Sequence, residues 1–118
     1  MSATAAIEPV RGEVWYARFD PVIGHEQGGE RPCLVISDDR FNQSHADLVV
    51  VVPITRTQRG LGSHVRMDPP EGGLKTVSFI KCEDIRSISK QRLQSKRAKV
   101  APPTMLAVED RLRLLLSL

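Results

Sequence analysis

Apolar and polar positions along the first half of the chain follow the pattern of short β-strands. Residues 13–19 are rich in β-forming side chains and end at an Asp-Pro turn signal. Residues 33–37 form a second short apolar run, which stops at two aspartates. Residues 48–54 show no alternation, which predicts a strand buried on both faces. Because Pro53 has no N–H for a ladder, we expect the end of this strand to bulge or to lie at a sheet margin.

Weaker strand patterns follow at residues 63–67, 76–82 and 84–88, and a loop rich in proline and glycine occupies residues 68–73. Six short strands at such close spacing predict a compact, strongly curved antiparallel sheet or a small barrel. The expected fold class is therefore mainly β.

The C-terminal residues change to a helical pattern after two consecutive prolines. Apolar side chains recur there at helical spacing, at Met105, Val108, Leu112, Leu115 and Leu116. We expect Thr104 to be the N-cap of one amphipathic helix that closes over the sheet. The last leucines of the chain are expected to belong to the core: Leu114, Leu115, Leu116 and Leu118.

Length and composition place these elements in one domain, since 118 residues are too few for two hydrophobic cores. Residues 1–10 are expected to be a flexible tail and residues 11–118 the domain, because the start is small and polar without the pattern of a signal peptide. The longest apolar run is too short to span a membrane, which favours a cytoplasmic protein. The two cysteines are expected to be reduced and buried.

The net charge of +3 and the pI of about 9.2 favour polyanionic partners without identifying one. The sequence contains no glycine-rich phosphate loop, no paired-histidine metal motif and no nucleophile elbow. Adjacent acids occur at Asp38-Asp39 and Glu83-Asp84, but neighbouring side chains on a strand point to opposite faces, so they are poor metal clamps. We therefore expect neither a metal nor another cofactor.

Candidate chemistry concentrates in the loop of residues 20–32, which is polar and contains three glycines. Arg31 stands at its end, where Pro32 restrains the preceding backbone, and a fixed guanidinium fork suits phosphate recognition. A solvated arginine at a strand edge is the equally available alternative. A second basic group is either a phosphate-binding patch or a solvated face: Arg86, Lys90, Arg92, Lys96, Arg97 and Lys99.

Taken in order, several segments resemble the MazF/PemK family of toxins. They are RGEVW at 11–15, FDP at 19–21, GHEQGGERP at 24–32, VVVPIT at 50–55 and CEDIRSI at 82–88. The resemblance runs from about residue 11 to the C-terminus. It implies an SH3-like, CcdB/PemK-like curved antiparallel barrel with a C-terminal helix, paired as a homodimer.

The resemblance also implies the activity and the partners. We expect a sequence-specific, metal-independent endoribonuclease (an mRNA interferase) that cuts single-stranded RNA to 2′,3′-cyclic phosphate and 5′-hydroxyl ends and inhibits growth. A cognate antitoxin protein would neutralise it, DNA would be contacted only through the antitoxin complex, and no membrane is involved.

The site residues implied by the resemblance begin with Arg31 and Thr55 as the catalytic pair. Glu26 and His64 are candidates for proton transfer, and His25 is an outside candidate. RNA binding is expected at Gln27, Gly28, Gly29, Arg56, Asp84 and Arg86. Asp84 departs from a glutamine found in many relatives, and Glu30 places an acid beside the proposed phosphate site, so the RNA sequence preference cannot be transferred.

Two other function classes remain open at this point. One is a contact toxin that inhibits an enzyme by binding, like the similarly folded gyrase inhibitors; the expected burial of the C-terminal leucines counts against it. The other is a small barrel that binds RNA or DNA without cutting it. Both predict intact RNA after incubation.

Overall fold

The computed structural model describes residues 8–19 and 30–118 of the chain. Within these ranges the strands are β1 (Glu13–Ala17), β2 (Arg31–Val35), β3 (Leu48–Thr55), β4 (His64–Met67), β5 (Ser78–Lys81), β6 (Arg86–Ser89) and β7 (Leu93–Lys99). The helices are α1 (Asp39–Asn42) and α2 (Pro102–Leu116), and single 3₁₀ turns occupy Glu71–Gly73, Cys82–Asp84 and Lys90–Arg92. The predicted fold class, mainly β with a C-terminal helix, is confirmed.

All pairings of these strands are antiparallel, in the order β4-β5-β3-β2-β1-β7, and β6 pairs with β3. The two ends of this order, β4 and β7, are not paired with each other among the described residues, so the curved sheet is open and not a closed barrel. Pro53 does not lie at a margin. It stands within β3 between the part paired with β6 (Leu48–Val51) and the part paired with β5 (Ile54–Thr55), and it faces Cys33 of β2.

Burial on both faces of β3 is confirmed. Val52 and Ile54 belong to a core cluster that α2 covers with Val108, while Val49 and Val51 belong to a second cluster on the opposite side. Side chains of neighbouring strand residues point to opposite faces, so an unbroken apolar run serves two cores at once.

Strand β7 was not predicted from the sequence. Its burial is confined almost entirely to Leu93, and the remaining residues are polar, charged or small and mostly exposed. Such a composition fits an edge strand, where charged side chains keep the open edge from pairing with other chains. The basic run after Arg86 is thus distributed over β6, a 3₁₀ turn and this edge strand.

Helix α2 begins three residues earlier than the sequence suggested. Its N-cap is Ala101, so the prediction of Thr104 as N-cap was wrong: both prolines fit the first helical turn, where no N–H is needed. Groups at the N-terminus of α2 are hydrogen-bonded by Glu71, which lies in the 3₁₀ turn between β4 and β5. Its carboxylate accepts from the Ala101 N–H at 2.9 Å and from the Thr104 hydroxyl.

The expected burial of the C-terminal leucines was also wrong for the single chain. Val108 is fully buried and Met105, Ala107 and Leu112 are partly buried, but the last turn lies outside the covered part of the helix. The exposed leucines of α2 and the C-terminus are Leu106, Leu114, Leu115, Leu116 and Leu118. Helical spacing identified the apolar residues but not how far the sheet extends beneath them.

Most of the predicted tail, residues 1–7, lies outside the described residues. The chain is already packed at Pro9, which is buried, and the N–H of Val10 donates to Glu13 Oε1 at 2.8 Å. No helix within the described ranges is long and apolar enough to cross a membrane.

Candidate functional site

A cleft of about 610 Å³ opens where β3 ends and β2 begins. Its wall is formed by residues from five strands and three connecting segments: Tyr16, Glu30, Arg31, Pro32, Ile54, Thr55, Arg56, Thr57, Gly73, Leu74, Lys75, Thr76, Ser78 and Arg97. The two residues that the resemblance marked as catalytic, Arg31 and Thr55, both lie in this wall.

Strand pairing explains why residues 24 positions apart meet. The antiparallel register joins Cys33 to Pro53, Leu34 to Val52 and Val35 to Val51. The ladder ends at Cys33 and Pro53, and Arg31 and Thr55 lie two residues beyond it, as the first residue of β2 and the last residue of β3. Both residues therefore stand at the same end of the paired strands and line one cleft, where a phosphate-sized ligand can contact both side chains.

The hydroxyl of Thr55 is oriented by its own loop. The backbone N–H of Thr57 donates to Thr55 Oγ1 at 3.1 Å. This bond uses a lone pair of the oxygen, so the hydroxyl keeps its proton for donation to a ligand. The short turn after β3 therefore presents Thr55 as a hydrogen-bond donor in the cleft.

The described part of the cleft wall is strongly cationic. Four basic side chains (Arg31, Arg56, Lys75 and Arg97) stand against one acid, Glu30. A concave surface lined by one sign of charge focuses the field and attracts anions. A polyanionic ligand is the class that this arrangement fits.

Two further wall residues form a stacked pair. The guanidinium carbon of Arg97 lies 4.8 Å from the centroid of the Tyr16 ring, which is cation–π geometry. The 3₁₀ turn that carries Gly73 packs directly on this part of β7. A Cβ on Gly73 would be 3.1 Å from Arg97 Cβ and 3.2 Å from the Ala98 nitrogen, and Gly73 has φ +75°. Close approach and left-handed backbone both favour glycine here.

His64 is not among the residues of this cleft. Its ring is buried on β4, and Nε2 lies 2.9 Å from Glu83 Oε2, while the Ser63 hydroxyl donates to Glu83 Oε1 at 2.7 Å. Partial burial alone would raise the pKa of Glu83, but the hydrogen bonds from Ser63 and His64 outweigh it and the pKa is lowered from its usual 4.5. His64 borders a separate hollow of about 190 Å³ with Arg66 and Phe79.

Of the other predicted RNA-binding residues that the structure describes, one lies in the cleft and two lie outside it. Arg56 lines the cleft. Asp84 and Arg86 do not: Asp84 is ion-paired with Lys81 at 3.5 Å, and the Arg86 guanidinium lies 5.3 Å from the centre of the Phe19 ring. The remaining predicted site residues, for proton transfer and for RNA binding, lie outside the described residues: His25, Glu26, Gln27, Gly28 and Gly29.

The predicted basic patch does not form one surface. Lys90 is buried and its Nζ donates to the carbonyl of Asn42 at 2.8 Å. Arg92 donates to the carbonyl of Arg18 at 3.2 Å, and Lys96 lies 3.8 Å from the buried carboxylate of Glu13. Among the six basic residues of this run, Arg97 alone lines the cleft.

Sequence reasoning did not identify Tyr16, Lys75 or Arg97 as residues of the cleft wall. Tyr16 was grouped with the core aromatics, and its half-exposed position is set by the edge strand β7 beside it. Within residues 8–19 and 30–118, no three His, Cys, Asp or Glu side chains come together as metal ligands.

Comparison with known proteins gives consistent results at the level of sequence. A family model described as the PemK-like, MazF-like toxin of type II toxin-antitoxin systems matches residues 10–116. The chain is 38% identical over 109 residues to the endoribonuclease EndoA of Bacillus subtilis (strain 168), covering 92% of this chain and 94% of that protein. It is 34% identical over 110 residues to the endoribonuclease MazF of Staphylococcus epidermidis, covering 92% and 91%.

Solved structures are similar over the same extent. A MazE-MazF crystal structure from Deinococcus radiodurans matches with a TM-score of 0.80 and 27% identity, covering 94% of this chain and 97% of that one. A mycobacterial endoribonuclease in complex with its cognate antitoxin matches with a TM-score of 0.75 and 28% identity, covering 93% and 96%. By its fold and by a family match over nearly its whole length, the chain belongs to the PemK-like, MazF-like toxins of type II toxin-antitoxin systems.

Proposed function

We propose that this protein is an RNA-cleaving toxin, a metal-independent endoribonuclease that cuts single-stranded RNA at short sequences in the cleft between β2 and β3. The observation that carries the proposal is the placement of Arg31 and Thr55 in one cationic cleft, at the ends of two paired strands. The relatives named endoribonucleases support the same class of reaction.

The reaction uses the RNA's own nucleophile. The 2′-oxygen attacks the adjacent phosphorus, the bond to the 5′-oxygen breaks, and the products are a 2′,3′-cyclic phosphate and a 5′-hydroxyl. One proton leaves the 2′-hydroxyl and one is delivered to the departing 5′-oxygen. The protein aligns these atoms and stabilises the negative charge that builds on the phosphorane.

Arg31 and Thr55 supply that stabilisation. The planar guanidinium of Arg31 binds two non-bridging oxygens at once, and the Thr55 hydroxyl donates to the same phosphate. Because the guanidinium and the hydroxyl provide the charge stabilisation, the proposed step requires no metal ion.

The proton transfers need a separate group, since an arginine guanidinium holds its proton too tightly to act as a general base near neutral pH. We assign the base role to Glu26, which comes five residues before the start of β2 in the sequence. His64 is a weaker candidate, because it lies outside the cleft and its Nε2 is already bonded to Glu83.

The proposed partners follow from the same assignment. The protein acts as a homodimer in the cytoplasm, where a second subunit completes the wall of the RNA channel, and a cognate antitoxin neutralises it. Contact with DNA occurs only through the antitoxin complex. Sedimentation equilibrium of the purified chain tests the dimer, and a monomer at micromolar concentration would contradict it.

The first test is cleavage of a long single-stranded RNA in EDTA by the wild type, Arg31→Ala, Arg31→Lys and Arg40→Ala. Arg40 is a matched control, an exposed arginine on α1 that is paired with Asp38 away from the cleft. We expect discrete cuts with 5′-hydroxyl ends for the wild type and Arg40→Ala. Both Arg31 variants should lose at least about a hundredfold in rate, since a lysine cannot reproduce the two-pronged contact.

Near-normal cleavage by folded Arg31→Ala would contradict the proposed mechanism. Untouched RNA with a folded wild-type dimer would instead favour the second candidate, a contact toxin. The exposed leucines of α2 favour this candidate. Their expected burial was the argument against a contact toxin, and in the single chain they are not buried.

A further inference from the structure

The Tyr16–Arg97 pair is the one part of the described cleft wall in which a charged plane lies over an aromatic ring. The guanidinium carbon of Arg97 lies over the Tyr16 ring, 4.8 Å from its centroid. Arg97 is nevertheless exposed and lines the cleft, so the side of the guanidinium away from the ring is accessible to a ligand. Within residues 8–19 and 30–118, no carboxylate lies within salt-bridge distance of Arg97.

The backbone around the pair holds it in place. Tyr16 is paired on one side with Pro32 of β2 and on the other with Ser95 of β7. A Cβ on Gly73 would come within 3.1 Å of Arg97 Cβ, so the 3₁₀ turn packs closely against this part of β7. A guanidinium fixed in this way loses little conformational entropy when a ligand stacks on it.

We propose that Arg97 and Tyr16 form a stacking subsite for a nucleobase of the RNA strand, next to the phosphate held by Arg31 and Thr55. The base lies on the free face of the Arg97 guanidinium and extends the Tyr16–Arg97 stack by one layer. This inference rests on the proposed function, because it takes its ligand from it. Arginine planes and aromatic rings are the usual platforms for unpaired bases in RNA complexes.

The competing role for Arg97 is a phosphate contact through the edge of the guanidinium. The two roles differ in what the ligand must contain: a stack needs a base, whereas a phosphate contact needs only the backbone. Stacking on a π-face tolerates any base, so the subsite contributes affinity more than sequence preference.

The test measures whether Arg97 and a base depend on each other. A labelled strand carrying the mapped cut site, with 2′-deoxyribose at the nucleotide that supplies the nucleophile, reports binding without cleavage. Companion strands replace one flanking nucleotide at a time by an abasic unit. Fluorescence anisotropy gives Kd for the wild type, Arg97→Ala, Arg97→Lys and the distant control Arg40→Ala.

We expect one abasic position to weaken wild-type binding about tenfold and to leave Arg97→Ala binding unchanged, since the stack is already lost. Arg97→Lys should resemble Arg97→Ala, because an ammonium offers no plane. Arg40→Ala should respond as the wild type does.

The proposal is overturned if Arg97→Ala weakens binding by the same factor on every abasic strand, which would assign Arg97 to the backbone, or if Arg97→Ala binds as tightly as the wild type. Tyr16→Leu provides a second variant that keeps an apolar residue but removes the ring, and we expect it to show the same loss of base dependence. If the wild type does not cleave RNA, the proposed function fails separately, and the same comparison is made with a mixed-sequence strand.

Discussion

At the scale of single residues, burial determines the chemistry of the two thiols. Cys33 and Cys82 are both fully buried and unpaired, as the sequence predicted. Burial raises the pKa of Cys33 from 9.0 to about 12, and burial together with the nearby charge of Glu83 raises the pKa of Cys82 to about 11. Both groups are therefore neutral, apolar core residues at ordinary pH.

These raised pKa values predict a loss of stability in alkali. Between the unfolded pKa of about 9 and the folded pKa of about 12, the unfolded chain releases the Cys33 proton and the folded chain keeps it. The contribution of each thiol is therefore fully present below pH 9 and falls as pH rises, by up to about 1.4 kcal/mol per pH unit. Urea unfolding of the wild type and Cys33→Ala from pH 8 to 10.5 measures the difference.

The free energy of unfolding of Cys33→Ala should start lower, because of the cavity, and decline less steeply with pH. Identical slopes in the two proteins would contradict the assignment of the raised pKa to Cys33.

The site residues differ in how far the sequence could locate them. Arg31 was found because a proline follows it and the family motif contains it, and Thr55 because the same motif continues into β3. Tyr16 and Arg97 were not joined in advance, because they lie 81 positions apart and meet only through the pairing of β1 with β7, which includes register shifts. The close contact at Gly73 adds a constraint that no local pattern contains.

At the scale of elements, strands with an apolar face were predicted and the polar edge strand was not. Strand β7 has one well-buried side chain and an irregular register, so it lacks the alternation that marks a half-buried strand. Helix α2 was predicted from its apolar spacing. Its start was misplaced because the capping group, Glu71, comes from a loop 30 residues away.

The Glu71 contact predicts a specific weakness. Glu71→Ala removes an acceptor from the Ala101 N–H and the Thr104 hydroxyl and a negative charge from the N-terminus of α2, and we expect a loss of about 1–3 kcal/mol in the free energy of unfolding. Thr104→Ala removes one of the two bonds and should cost less. Urea denaturation followed by circular dichroism measures both variants.

Glu71→Gln serves as the control, since it keeps an oxygen acceptor but loses the charge. A loss for Glu71→Ala no larger than that of Thr104→Ala would show that the backbone bond to Ala101 contributes nothing to the helix.

At the scale of the whole molecule, the positive charge of the described residues is concentrated in the cleft. The net charge is only +3, yet four basic residues share one cleft. Outside the cleft, some ion pairs join exposed residues that are close in sequence, such as Arg66 with Asp68 and Arg40 with Asp38. Pairs of this kind contribute little to stability. The cleft is therefore where charge has most to do with binding.

This distribution predicts the salt dependence of RNA binding. Each phosphate contact adds about 0.7 to the slope of log K against log salt concentration for a single strand. Lys75→Ala should reduce that slope by about 0.7 without changing where the RNA is cut, because a flexible ammonium contacts phosphate and not bases. Binding titrations from about 50 to about 200 mM salt provide the slopes.

Arg40→Ala should leave the slope unchanged, since its charge is already paired outside the cleft. An equal effect of both variants would mean that net charge, and not the cleft, governs the interaction.

The register that brings the start of β2 and the end of β3 to one cleft also limits how the gene for such a protein can change in length. One residue inserted within β2 or β3 would shift the pairing by about 3.3 Å and turn the following side chains to the other face. The guanidinium and the hydroxyl would then no longer meet, even with every residue of the site retained. The exposed residues 58–60, between β3 and β4, lie outside both strands and outside the wall of the cleft, so they carry no such constraint. Length variation among active descendants should therefore accumulate there and be absent from the two strands.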